Sequence, residues 1–245
     1  MKTPTERQNG IIAILDALGA ASYGDAEVRR FIKSRDLVLQ ALNKKTEESY
    51  GHVDPQAVTT FTFNDTVLIV LKSPDGPTID DAGAFFSMLR KFMADSLVNN
   101  ILFRGSVSIG SFYVNDQTNT VMGQAVTDAA AWYEQADWIG VNATPRASLI
   151  IEGWLEGAKS RRGHLLVDWD IPLHGGRTIR AKAVNWPRAF LVPRISPCAN
   201  GEHPRKKLLE LLSLHPMPRG VETKYANTLS FFDEDIKRYE KIGKK

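Results

Sequence analysis

The chain has 245 residues, 43% of them hydrophobic and 24% charged, with a formal net charge of +3. That length carries one sizeable α/β domain and is short for two. The composition argues against a disordered or membrane-embedded class, and basic residues are too scattered for a nucleic-acid surface outside Arg205-Lys206-Lys207 and the Lys244-Lys245 end. A single Cys198 excludes an intrachain disulfide framework, and no secretory leader or membrane-length apolar run is evident, so a soluble cytoplasmic protein is expected.

Residues 10–15 form a continuous apolar run, the pattern of a strand buried on both faces, which places Asp16 at its end. From 25 to 48, Val28, Phe31, Ile32, Leu39 and Leu42 recur near helical spacing and predict one long helix or two short ones. Runs 58–63 and 67–71 are rich in β-formers and flank Asn64-Asp65-Thr66, predicting a hairpin with a carboxylate at its tip. After the Pro74-Asp75-Gly76-Pro77 loop, Thr78 and Asp81 have capping-box spacing and start a helix to about 97, its apolar face made by Ala82, Phe85, Phe86, Leu89, Phe92 and Met93. A long strand over 101–114, a turn at 115–119, a short strand at 120–122 and a helix opened by Gly123 and running to 133–136 follow. This order is that of a ferredoxin-like core. Beyond 148 the periodicity weakens: strands at 165–167 and 179–184, a turn at Asn185-Trp186-Pro187, an exposed loop at 196–204, and helices at 206–214 and 233–241 are expected.

Asp16 and Asp65 each stand where a strand stops, which is how a fold brings two distant acids to one divalent cation. Hard cations prefer oxygen ligands, and an ion held by only two carboxylates keeps positions open for substrate phosphates. Taken singly, Asp16 is equally readable as a cap and Asp65 as a turn residue.

Three stretches, in order, resemble the class III nucleotidyl cyclase catalytic domain. Asp16-Ala17-Leu18-Gly19-Ala20 is similar to the family's Asp-Ile-x-Gly-Phe, and Asn64-Asp65 to its hairpin Gly-Asp. Arg104-Gly105 to Gly110, with Gly123 through Val126-Thr127-Asp128-Ala129, is similar to its Arg-x-Gly-x-x-x-Gly and Gly-x-x-Val-Asn-x-Ala. The resemblance covers residues 9–150 and implies an α/β (α+β), ferredoxin-like class III cyclase core with a C-terminal elaboration, in one domain over 1–245 with its core at 9–195 and a helical extension at 204–245. It implies two Mn²⁺ or Mg²⁺ ions per site on Asp16, Asp65 and the Ala17 carbonyl. Leu18 and Gly19 would then lie in the turn that meets the terminal phosphates, Arg104 would contact phosphate, and a homodimer would share each site between subunits.

The departures from that pattern narrow the substrate. Adenylyl enzymes carry Lys and Asp where this chain has Phe61 and Thr120, and Phe61 neither donates nor accepts. The family's transition-state Asn and Arg fall at Thr127 and Ala131, so either another cation substitutes, with Arg177, Arg180 and Lys182 as the candidates, or the protein is inactive. Purine readers lost with metal acids kept resembles the pyrimidine cyclases of Pycsar antiphage defence, in which Tyr50 is a further candidate for base contact. That implies conversion of UTP to cyclic UMP, with CTP to cyclic CMP as the alternative, and a separate effector protein activated by the product. Competing readings are an inactive nucleotide-binding relative, which Ala131 favours, and a palm-type nucleotidyltransferase, which lacks its Gly-Gly-Asp/Glu-Glu-Phe hairpin here.

Overall fold

The computed structural model describes residues 6–49, 54–115, 117–157, 165–199, 201–217 and 219–242. Strand β1 (Glu6–Ala17) leads through a single 3₁₀ turn (Ala20–Ser22) into helix α1 (Asp25–Ser49), then the hairpin β2 (Val58–Phe63) and β3 (Thr66–Lys72), helix α2 (Ile79–Val98) and the long strand β4 (Phe103–Asn115). The chain continues with β5 (Thr120–Met122), α3 (Gln124–Tyr133), β6 (Val141–Ala143), α4 (Pro145–Gly157), the hairpin β7 (Leu166–Leu173) and β8 (Arg177–Val184), and the helices α5 (Pro204–Ser213) and α6 (Glu222–Ile242).

The sheet order is β2-β3-β1-β4-β6-β8-β7, with β5 paired to β4 outside that path. Among the described residues only β4 and β6 run parallel; the other strand pairings are antiparallel. The first four strands in the order β2-β3-β1-β4, with α1 and α2 between them, are the expected ferredoxin-like core.

Strand alternation explains why β1 is apolar throughout. Ile11, Ala13, Leu15 and Ala17 enter the principal core with Phe85, Phe92, Phe103 and the helices on that side. Ile12 and Ile14 point the other way, into a smaller cluster with Phe61, Val70, Phe112, Ala125 and Ala129 under α3. By the same two-residue period, Asp16 belongs to the α3 face. Close strand approach fixes the register here: a Cβ on Gly105 would lie 2.5 Å from the Ile14 carbonyl oxygen.

The capping box at Thr78 forms as expected, with Oγ1 accepting from the Asp81 amide and the Asp81 carboxylate accepting from the Thr78 amide. Such a cap is worth about 1 kcal/mol. Helix α1 is one element rather than two, yet Val28 and Ile32, expected on its inner face, are 40% and 42% exposed. Its buried side is Phe31, Val38, Leu39 and Leu42.

The C-terminal region departs most from expectation. The terminal helix is 21 residues long and begins at Glu222, not near 233. Its Phe231 ring lies 4.8 Å from Trp138 and 5.2 Å from Trp169, and Phe232 lies 5.1 Å from Phe190. A helix read as a charged tail is thus an aromatic wall of the principal core, each ring pair adding about 0.5–1.5 kcal/mol beyond its area. Helix α4 and strand β6 were not anticipated. No helix among the described residues is long and apolar enough to cross a membrane.

Candidate active site

Two backbone bonds tie the end of β1 to its neighbours, one to the β2–β3 hairpin and one to the residue preceding β4. The Ala17 amide donates to the Asp65 carbonyl at 3.1 Å, and the Leu18 amide to the Leu102 carbonyl at 2.8 Å. The hairpin turns on two residues, with Asn64 at φ 53, a left-handed conformation that asparagine tolerates and primed hairpin turns require. Asn64 Nδ2 donates to Asp65 Oδ1 at 3.0 Å, so the turn orients the carboxylate as well as making the reversal.

Asp16 and Arg104 are register partners across β1 and β4. Arg104 Nε and Nη2 both donate to Asp16 Oδ2 at 3.2 Å, and Nη1 donates to the Glu134 carbonyl at 3.1 Å. The guanidinium also lies 6.0 Å from the centre of the Tyr133 ring, so three sides of it are held. Burial pushes the Asp16 carboxyl above its ordinary range, Arg104 pulls it down, and the Asp65 charge pushes it up again. The Tyr133 phenol is pushed up to about 12 by burial and by its hydrogen bond and proximity to the Glu134 carboxylate, to which it donates at 2.8 Å.

Beyond Ala17 the chain turns at Gly19, whose φ of 84 is left-handed and whose surroundings would leave an added Cβ with nothing within 4 Å. Backbone conformation, not crowding, asks for glycine there, and the space over the turn is open. Ser22 Oγ donates to the Gly19 carbonyl at 2.7 Å and closes the turn. A residue that sequence reasoning passed over braces the other wall: Arg35 of α1 donates from Nη1 to the Asn64 carbonyl at 3.2 Å while its guanidinium sits 5.8 Å over Phe31.

The other predicted site residues are not gathered here. Phe61 is 7% exposed and belongs to the α3-side cluster, on the same face as Asp16. Thr120 pairs with Asn115 at the far end of β4, 11 positions from Arg104, or roughly 35 Å along an extended strand. Its hydroxyl lies 2.9 Å from that of Thr118. Thr127 donates from Oγ1 to the Gly123 carbonyl at 3.2 Å and is exposed, as is Ala131. Arg180 and Lys182 lie on β8, three strands from β1 in the sheet. Arg180 pairs with Asp170 at 3.3 Å, and Lys182, 7% exposed, pairs with Asp168 at 2.9 Å and with Glu152. Neither cation reaches Asp16 within one chain, because β4 and β6 intervene. Tyr50 lies outside the described residues.

Among the described residues no three His, Cys, Asp or Glu side chains form a metal-binding group. The donor set at Asp16 and Asp65 nevertheless fits a hard cation: two oxygen ligands, each other's charge unfavourable, and positions left for anionic oxygens of another molecule.

No protein-family model matches the sequence, and no curated protein matches it. Among solved structures, the chain is similar to the catalytic core of a rhodopsin-guanylyl cyclase with converted specificity in complex with ATPαS, at 12% identity and TM-score 0.50, over 74% of this chain and 98% of that one. It is also similar to the guanylyl cyclase Cya2, at 14% identity and TM-score 0.48 over 74% and 94%, and to an adenylate/guanylate cyclase/hydrolase from Silicibacter pomeroyi, at 16% identity and TM-score 0.47 over 74% and 98%. The mixed eight-stranded sheet with its helices is the class III nucleotidyl cyclase catalytic fold.

Proposed function

We propose that this chain is a nucleotide cyclase that converts a pyrimidine nucleoside triphosphate, UTP in preference to CTP, into its 3′,5′-cyclic monophosphate and pyrophosphate. The observation that carries the reading is the convergence of Asp16 and Asp65 through the 3.1 Å Ala17–Asp65 backbone bond, with Arg104 directly opposite on β4. Fold alone does not imply function; these residues, in this arrangement, supply the chemical argument.

In this reading Asp16 and Asp65, with the Ala17 carbonyl, hold two Mn²⁺ or Mg²⁺ ions. Bound there, the ions would activate the ribose 3′-hydroxyl and neutralise the phosphates. The open turn at Leu18-Gly19 receives the terminal phosphates, since glycine lets backbone amides approach anionic oxygens. Arg104, which holds Asp16 here, would turn its planar donor fork to phosphate. The 3′-oxygen to α-phosphorus bond forms as the bond to pyrophosphate breaks, and the hydroxyl proton leaves to solvent.

Thr120 and the β8 cations lie far from Asp16 in the same chain, and a head-to-tail homodimer would deliver them, with Thr127, from the partner, making each site shared. The product would serve as a second messenger in antiphage defence, acting on a separate effector protein. The specific observation favouring the other reading, an inactive nucleotide-binding module, is that Ala131 offers no charge while Arg180 and Lys182 are both engaged by carboxylates.

Incubating the purified chain with each of four labelled triphosphates and Mn²⁺ tests the proposal. Cyclic UMP is the expected main product. Tight triphosphate binding with no cyclic product from any of the four would leave the inactive module.

A further inference from the structure

A cavity lies against the β1–α1 turn, lined by neither Asp16 nor Arg104. It has an inner chamber of about 100 Å³ walled by Leu18, Leu102, Val221 and Tyr225. The outer part is an open groove of about 420 Å³ along α1, with Arg30, Lys33, Phe31 and Leu37 on its wall. Tyr23, His215 and Pro216 line both, so the chamber and groove adjoin.

The polar groups around this cavity are unequal. Lys224 is committed to Asp137 at 2.5 Å, Ser22 to the Gly19 carbonyl, and Glu27 to the Gly24 amide at 2.8 Å. His215 is different: its Nε2 is buried with no hydrogen-bond partner among the described residues. An unpaired buried nitrogen in a polar-poor chamber costs free energy that a ligand's hydroxyl would recover. Burial also pulls the His215 imidazole down to about 4, so it is neutral at physiological pH and suits a neutral hydroxyl. At the groove, Arg30 and Lys33 bring positive charge one helical turn apart, complementary to an anion.

We propose that the cavity between the β1–α1 turn, α1 and residues 214–216 and 221–225 is a binding site for a small aromatic anion, its ring in the chamber, a polar group on His215 Nε2, and its negative charge toward Arg30 and Lys33. The chamber volume is of the order that takes a single benzene-sized ring. Because Leu18 and Gly19 form part of the wall, an occupant braces the turn that opens over Asp16 and Asp65. The site does not depend on which reaction the chain catalyses, and its test reads binding alone.

The probe is 4-hydroxybenzoate, titrated into the whole chain while the His215 imidazole C–H signals are followed by NMR, with phenol and inorganic phosphate as ring-only and anion-only controls. Saturable shifts at His215 are expected, with both controls at least tenfold weaker. Val221→Phe, which fills the chamber, should abolish them. Arg30→Ala with Lys33→Ala, both on the exposed side of α1, should weaken 4-hydroxybenzoate at least tenfold and leave phenol unchanged. A wild-type chain whose His215 signals do not move up to the probe's solubility limit overturns the site. So does a Val221→Phe chain that melts like wild type and still binds, while phenol equal to 4-hydroxybenzoate overturns the anionic part.

Discussion

Asp16 and Arg104 face each other across β1 and β4, with two guanidinium nitrogens on one carboxylate oxygen, Oδ2, at 3.2 Å. Under the proposed metal assignment, a divalent ion would compete with Arg104 for this oxygen. Replacing Arg104 by Gln removes the competitor while keeping a polar side chain. Mn²⁺ binding to the nucleotide-free Arg104→Gln chain should therefore tighten, and the KM for triphosphate should rise by an order of magnitude or more, as befits a lost charge-assisted bond. Calorimetry with Mn²⁺ alone separates the two effects, and weaker metal binding in the variant would mean that Arg104 supports the metal site instead of opposing it.

Asp65 sits at a hairpin tip, half-buried, with its side chain bonded only locally to Asn64 among the bonds described. Asp65→Ala should leave melting nearly unchanged, within about 0.5 kcal/mol as for most surface substitutions, and lower turnover by at least a hundredfold, the ~3 kcal/mol scale of a lost electrostatic stabiliser. Asp16→Ala should be as inactive and less stable, because it strands Arg104 in a partly buried position. Turnover near wild type in either variant defeats the metal assignment.

Much of this site was legible because each of its acids closes an apolar run: the end of a buried strand and the tip of a hairpin are readable from local pattern. Tyr133, Glu134 and Arg35 were not, since each reaches the site only through the packing of α3 or α1, which no local pattern states. Helix α4 did carry a readable signal, Thr144 before Pro145, where Oγ1 accepts from the Ala147 amide at 3.2 Å. The terminal helix was shortened in the reading because charges dominate its length, whereas its buried face is set by Tyr225, Phe231, Phe232 and Ile236. Arg180 and Lys182 looked available in sequence only because their carboxylate partners, Asp170, Asp168 and Glu152, lie on another strand and a helix.

Asp235 on α6 is 5% exposed, and its Oδ2 has no hydrogen-bond partner among the described residues. Burial pushes its carboxyl from the ordinary 3.8 up to about 6, against the opposing charges of Arg238, Arg188 and Arg90. The folded state therefore holds a proton that the unfolded state releases, and stability attributable to this group falls as pH rises from about 4 through about 6. Asp235→Asn keeps the shape of the protonated acid. It should stabilise the chain at pH 7.5 by on the order of 1–3 kcal/mol, the size implied by a shift of this magnitude, and by little at pH 4. Equal denaturant midpoints for variant and wild type at pH 7.5 would remove this carboxylate as a source of pH dependence.

The distance along β4 between Arg104 and the Thr120 end demands a partner if both serve one site. Mixing equal amounts of Asp65→Ala and Arg180→Ala chains should restore about a quarter of wild-type activity, because random exchange makes half of all dimers mixed and each mixed dimer has one intact site. Sedimentation of the wild-type chain as a fully active monomer would exclude shared sites.

Base selectivity is the finest part of the proposal and turns on Phe61 and Thr120. Phe61 lies on the same sheet face as Asp16, 7% exposed in the cluster with Ile12, Ile14 and Phe112, and brings no hydrogen-bonding group to the position where a purine cyclase carries a polar reader. A purine placed there leaves its hydrogen-bonding edge unpaired, and an unpaired buried polar group costs about 1–3 kcal/mol, or roughly tenfold to a hundredfold in relative kcat/KM. Uracil presents two carbonyls flanking one N–H, which hydroxyl and backbone donors satisfy without a charge. Cytosine asks for a donor beside an acceptor, a pairing that the Thr120 hydroxyl meets less completely. The expected order is therefore UTP, then CTP, then the purine triphosphates, in competition at equal concentration with Mn²⁺. Phe61→Lys combined with Thr120→Asp should narrow the gap to ATP if the two positions face the base. Faster formation of cyclic AMP or cyclic GMP by the wild-type chain would reduce Phe61 to a core side chain and nothing more.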